Sequence, residues 1–96
     1  MNLGQTIKKI RKQRGLTQAE FAVRCEISQT YLSQIEGDHR EPNLSTLKTI
    51  SLKFNVPLPI IFFLSMTKED VPVGKQEAFE VINPSVNSFV NEFFAV

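Results

Sequence analysis

The stretch from Thr17 to Glu36 limits this chain more than any other. Thr17-Gln18-Ala19-Glu20 is a capping box: the Thr hydroxyl takes an orphan N–H of a new helix while Glu20 reaches back to the Thr17 N–H. That helix runs to about Cys25. Ser28 is placed to cap another, which runs to Glu36-Gly37. Counting Gln18 as position 1, apolar residues stand at 4 (Phe21), 5 (Ala22), 8 (Cys25), 10 (Ile27), 15 (Leu32) and 18 (Ile35). Two short helices crossing at ~90–120° through a three-residue turn need apolar groups at these places to share one core. The fifth position must be small, because the two backbones approach there, and it is Ala22.

The remaining signals are also helical. Leu3, Ile7, Ile10 and Arg14 follow 3–4 spacing, and Gly15 stops that helix. Asn43 or Ser45 begins a fourth helix with Leu44, Leu47, Ile50 and Phe54 on one face. Pro57 and Pro59 bracket the start of a fifth, which reaches Leu64. Residues 67–75 are charged and carry Pro72 and Gly74, so they read as a linker. Asn83-Pro84 reads as the start of a further helix through Ala95, with Val86, Phe89, Val90, Phe93 and Phe94 as its apolar stripe. A shorter apolar group, Ala78, Phe79 and Ile82, precedes it. No alternating run with a hairpin turn suggests a strand. The expected fold is all-α: a five-helix domain over residues 1–66, the linker 67–75, and a helical extension over 76–96 as a dimerisation element.

With 96 residues there is room for one domain. The longest apolar run, Val56 to Leu64, has nine residues and two prolines, far from the ~20 of a membrane span. A single cysteine excludes an internal disulfide and any Cys-rich zinc site, and together these facts point to the cytosol. One histidine, one cysteine and no paired carboxylates leave nothing for a nucleophile–base pair, and no Gly-rich phosphate loop is present. No cofactor and no metal are expected. Cys25 reads as a core residue, and His39 as a solitary loop residue.

The net charge of +1 hides an asymmetry. Residues 1–66 carry nine Lys and Arg against five acids, a balance of +4; residues 67–96 carry two against five, a balance of −3. Only the head suits a polyanion. On the outer face of the helix capped by Ser28 stand Ser28, Gln29, Thr30, Ser33 and Gln34. Such groups hydrogen-bond base edges, and Gln contacts adenine N6/N7 in bidentate fashion. The plainer reading of both features is solvated surface. Tyr31 either packs or offers its hydroxyl to a phosphate.

The run Arg11-Lys12-Gln13-Arg14-Gly15-Leu16-Thr17-Gln18-Ala19-Glu20-Phe21-Ala22, then Ile27-Ser28 through Tyr31-Leu32-Ser33-Gln34-Ile35-Glu36, then Arg40-Glu41-Pro42-Asn43-Leu44, resembles the lambda-repressor-like, XRE-type helix-turn-helix family. The resemblance covers about residues 3–64. It implies a five-helix domain acting as a homodimer on a palindromic DNA operator. Residue by residue, it implies that Gln18 meets a phosphate and that Ser28, Gln29, Thr30, Ser33 and Gln34 face the major groove of double-stranded DNA. Arg40 and Asn43 meet backbone phosphates, and Arg11 pairs with Glu36. The chain departs from the pattern at two turns: Glu26 replaces a usual glycine, and Gly37 comes one place early, before Asp38.

The function expected from this is sequence-specific, DNA-binding transcriptional regulation. The expected dimer interface is Ile60 and Phe63 of the fifth helix with Val86, Phe89, Val90, Phe93 and Phe94 of the extension, where apolar surface exceeds what one small domain needs. The alternative is a protein-interaction module, an antitoxin or anti-repressor, whose apolar C-terminal helix docks a protein partner.

Overall fold

A computed structural model describes residues 1–96 as six α-helices and no strand. They are α1 (Leu3–Gln13), α2 (Gln18–Arg24), α3 (Gln29–Glu36), α4 (Leu44–Phe54), α5 (Leu58–Ser65) and α6 (Gln76–Phe94). Each helix of the first four-fifths of the head starts or stops where its sequence dictates. Thr17 and Glu20 exchange both capping-box bonds, at 3.1 and 3.0 Å, and Ser28 Oγ accepts the Tyr31 N–H at 3.0 Å. Asn43 Oδ1 accepts the Thr46 N–H at 2.8 Å, which settles Asn43 as the cap of α4. Gly15 takes a left-handed φ of 72° beyond α1.

All but one of the six apolar positions of the α2–α3 unit are buried: Phe21, Ala22, Cys25, Leu32 and Ile35, with Ile27 half-buried against them. Ile7 and Ile10 of α1, Leu47, Ile50 and Phe54 of α4, Val56, and Ile61 of α5 complete this core. Phe21 and Phe54 stack with ring centroids 4.4 Å apart, which ties α2 to α4. Leu44 does not join them. At the first position of α4 it is 56% exposed, so the buried stripe of that helix begins only at Leu47.

At Gly4, α1 lies directly on the end of α3. A Cβ there would run into the Ile35 carbonyl oxygen, so only glycine permits this approach. The Gly4 N–H donates to Asp38 Oδ1 at 3.2 Å. Asn2, the residue before α1, makes no side-chain cap, and Asp38 supplies that function from 34 positions away. Glu26 and Asp38 hold φ of 57° and 58°, so both turns that depart from the family pattern use left-handed residues other than glycine. Such a conformation costs a side-chain-bearing residue about 1–2 kcal/mol.

The tail differs from its expected form in two ways. Residues 67–75 form two short 3-10 turns, Lys68–Asp70 and Val73–Lys75, that pack against α6. Asp70 Oδ2 accepts the Thr67 N–H at 2.8 Å, and the Asp70 N–H donates to the Thr67 carbonyl at 3.0 Å. The helix also begins at Gln76 rather than at Pro84, and Pro84 sits in its interior. An interior proline removes one intrahelical bond and normally costs about 3 kcal/mol. Here the preceding turns are anchored: Phe79 and Asn83 are half-buried, and Gln76 Nε2 donates to the Val71 carbonyl at 3.4 Å. Packing outweighs the local preference. The radius of gyration of 13.9 Å exceeds the ~12.5 Å of a compact domain of this length, as a 19-residue helix laid along a small head requires.

Candidate nucleic-acid interface

The candidate surface is the outer face of α3, and α3 is fixed from beneath. The Arg11 guanidinium meets the Glu36 carboxylate in a two-pronged bond, Nε to Oε2 at 2.7 Å and Nη2 to Oε1 at 2.9 Å. Both side chains are nearly closed to solvent, at 7% and 2% exposure. A planar fork on a carboxylate gives direction as well as charge. The bond to Glu36 holds the Arg11 guanidinium further above its ordinary pKa. Arg11 Nη1 also donates to the Leu16 carbonyl at 2.7 Å, so one side chain joins α1, the turn into α2, and the last residue of α3.

Gln18 belongs to the same network. Its Nε2 donates to Glu36 Oε1 at 3.1 Å. One of its two amide hydrogens is thereby used, and the other is free for a phosphate oxygen. Ser28, Gln29, Thr30 and Ser33 are exposed on α3. Gln34 is only half-buried, less open than its neighbours; its carbonyl accepts the His39 and Arg40 N–H groups at 2.9 and 3.2 Å. Asn43 is exposed, and its amide nitrogen is not used in capping α4. The Arg40 guanidinium rests over the Tyr31 ring, 4.8 Å from its centroid. That cation–π contact orients an otherwise free loop arginine beside α3. Neither this pairing nor Asp38 as the cap of α1 is legible in the amino-acid order, because both depend on how the turn after α3 folds back.

Burial pushes the Cys25 thiol up to about 11, so it is neither a nucleophile nor a ready thiolate. No group of His, Cys, Asp and Glu is arranged to hold a metal ion.

The residues expected at a two-fold interface divide. Val90 is buried within its own chain; Val86 and Phe94 are half-buried and packed against the same core. Those three are therefore occupied in holding α6 to the head. Phe89 and Phe93 lie on the adjacent strip of α6, 63% and 73% exposed, together with Ile82. Ile60 and Phe63 of α5 are half-buried. No single helix is long and apolar enough to cross a membrane.

The sequence profile of the helix-turn-helix family matches residues 7–61, more than half of the chain. The chain belongs to the helix-turn-helix family. Its relatives are regulators, not enzymes. Over 51 residues, 53% of this chain and 35% of the relative, it is 47% identical to the immunity repressor protein of Bacillus phage phi105. It is 30% identical to the HTH-type transcriptional regulator ImmR of Bacillus subtilis over 92 residues, covering 96% of this chain and 68% of ImmR. It is 34% identical to the regulator SlrR of the same bacterium over 77 residues, 78% of this chain and 51% of SlrR. The chain thus spans about a third of the phage repressor and about two thirds of ImmR. No solved structure matches it significantly. The family match ends at Ile61, so α6 lies outside it, while the alignment with ImmR takes in nearly the whole chain.

Proposed function

We propose that this helix-turn-helix chain is a sequence-specific, DNA-binding transcriptional regulator that lays α3 in the major groove and binds a palindromic operator as a homodimer. The observation that carries the reading is the contrast between the two sides of α3. Its inner side is pinned by the Arg11–Glu36–Gln18 network, and its outer side offers the short polar and amide groups of Ser28, Gln29, Thr30 and Ser33. Base reading falls to these residues and to Gln34 at their margin. Register is set by phosphate contacts from Gln18, Arg40 and Asn43. The names of the phage repressor and of ImmR point the same way.

The second copy binds, on this reading, through the uncovered half of the α6 stripe, Ile82, Phe89 and Phe93, with Ile60 and Phe63 of α5 as further candidates. Ile82, Phe89 and Phe93 are the exposed members of this set, and they form one strip of α6. The same uncovered strip favours a second reading, in which a different protein docks on α6.

Selection of bound sites from random duplex DNA with the purified chain tests the main reading. It should return an inverted repeat whose half-sites lie about 34 Å apart, one helical turn. Recovery of no enriched sequence overturns DNA reading. Recovery of a single, unrepeated half-site overturns the homodimer and leaves the strip to a different partner.

A further inference from the structure

The C-terminal end of α6 is joined to the head by one directional contact. Arg14 Nη1 donates to the Ala95 carbonyl at 2.8 Å, and Nη2 donates to the carbonyls of Phe94 and Phe54 at 3.1 and 3.2 Å. These are terminal carbonyls of α6 and α4, which no intrahelical N–H satisfies. One guanidinium thus closes two helix ends, one of them about 80 positions away in the chain. Both helices end in a left-handed residue, Asn55 at φ 58° and Ala95 at φ 56°, and the second of these is an alanine with no side chain to favour it.

Elsewhere the same contact is apolar. Val90 and Val96 are buried and join α6 to the core, but apolar burial is non-directional: it sets how close the helix lies rather than how it is rotated. Between the ends of α4 and α6 the side chains do not close. Arg14 lines an open crevice of about 680 Å3 there with Leu52, Phe54, Phe93 and Phe94. The guanidinium is what bridges it. Arg14 is also the residue just before Gly15, whose φ of 72° opens the turn into α2. Its backbone caps the end of α1, and its side chain holds the tail.

We infer that Arg14 is a positioning residue for operator spacing: by fixing the angle of α6 on the head, it fixes the separation and rotation of the two α3 helices in the dimer. The inference rests on the homodimer reading above. Arg14 touches no DNA in this scheme. It acts through Phe94 and Ala95 on the helix that carries Phe89 and Phe93. Lysine cannot replace it, because one ammonium cannot present a planar fork to three carbonyls.

The test uses the full chain and duplexes carrying the two half-sites recovered by selection with the wild-type protein. One set holds the selected spacing, others have one, two or three base pairs inserted, and a last duplex holds a single half-site. Wild-type affinity should fall tenfold or more by two inserted base pairs, because each rotates one half-site by about 35°. Arg14→Gln and Arg14→Lys should bind the single half-site within twofold of wild type, sediment as dimers, and lose no more than threefold on the same insertions. Wild-type spacing discrimination in either variant overturns the inference. So does loss of half-site binding in both variants, which would make Arg14 a folding residue of the head. A wild-type chain that sediments as a monomer and ignores spacing overturns the homodimer reading and the inference with it.

Discussion

The α2–α3 unit and α6 carry similar numbers of apolar side chains, but they are held in opposite ways. In the α2–α3 unit both helix starts are capped by a residue in the same turn, and five of the six motif positions are fully buried. In α6 no side chain caps the start, a proline interrupts the middle, and the end is closed by Arg14 of another helix. One strip of α6 is packed and the neighbouring strip, Ile82, Phe89 and Phe93, is open. A unit that must present a fixed face to a ligand is specified locally and redundantly. A unit that leaves part of its apolar surface open is specified by a few distant contacts.

The largest effect should come from cutting the buried ion pair beneath α3. Glu36→Ala leaves Arg11 buried without its carboxylate, and Arg11→Ala does the reverse; each should cost about 3–5 kcal/mol. Equal urea midpoints for wild type and both variants would remove the proposed anchor from beneath α3. Next, the two strips of α6 should separate cleanly. Val90→Ala should cost about 1–3 kcal/mol of unfolding free energy. Phe89→Ser with Phe93→Ser should change it by no more than about 0.5 kcal/mol per residue, yet shift the sedimenting species from dimer to monomer. A double variant that stays a tight dimer places the interface elsewhere, on α5.

On the outer face of α3, Gln29→Ala should weaken selected-site binding by about 1–3 kcal/mol and leave random-duplex binding unchanged. Equal losses on both duplexes would show that Gln29 meets backbone, not bases. The smallest effect concerns the local cap. Bonds from the Thr17 N–H and then the Thr17 hydroxyl hold the Glu20 carboxyl below its ordinary value of 4.5. A carboxyl depressed in the folded state contributes stability above its unfolded pKa and loses it as pH falls through the folded one. The wild type should therefore weaken slightly as pH drops below 4.5, and Glu20→Gln, which keeps a neutral capping box, should flatten that part of the curve. Parallel curves for the two proteins would show that the box is held by Thr17 alone.

This division explains what could be read from the amino acids. Thr17, Ser28 and Asn43 act on N–H groups three residues ahead, so spacing alone locates them. Phe21, Ala22, Leu32 and Ile35 lie at positions set by one crossing of two helices, so counting finds them too. Leu44 failed because a periodic stripe says which face is apolar, not where along the helix the core ends. Pro84 failed because its local cost is outweighed by turns packed beneath it, which no window of sequence contains. Arg14 fitted the apolar spacing of α1 and was counted with that face; its acceptors are main-chain oxygens, which carry no residue identity to search for. In the interface, the outer face of α3 was legible as chemistry. The Gln18–Glu36 bond and the seat of Arg40 on Tyr31 were not, since each joins side chains from different elements.

The contact at Gly4 has a mechanical consequence. There α1 meets the Ile35 carbonyl with no side chain between them, and Asp38 bonds the same glycine's N–H. Backbone against backbone has no rotamers to exchange, so side-chain rearrangement cannot shift α1 against the end of α3 at this point. A reading head of that kind does not reshape itself to an imperfect groove. The compliance must come from the duplex, and bending or twisting it costs different amounts for different base steps. On the homodimer reading proposed above, the protein senses the flexibility of base pairs lying between its two half-sites, where none of its side chains reaches.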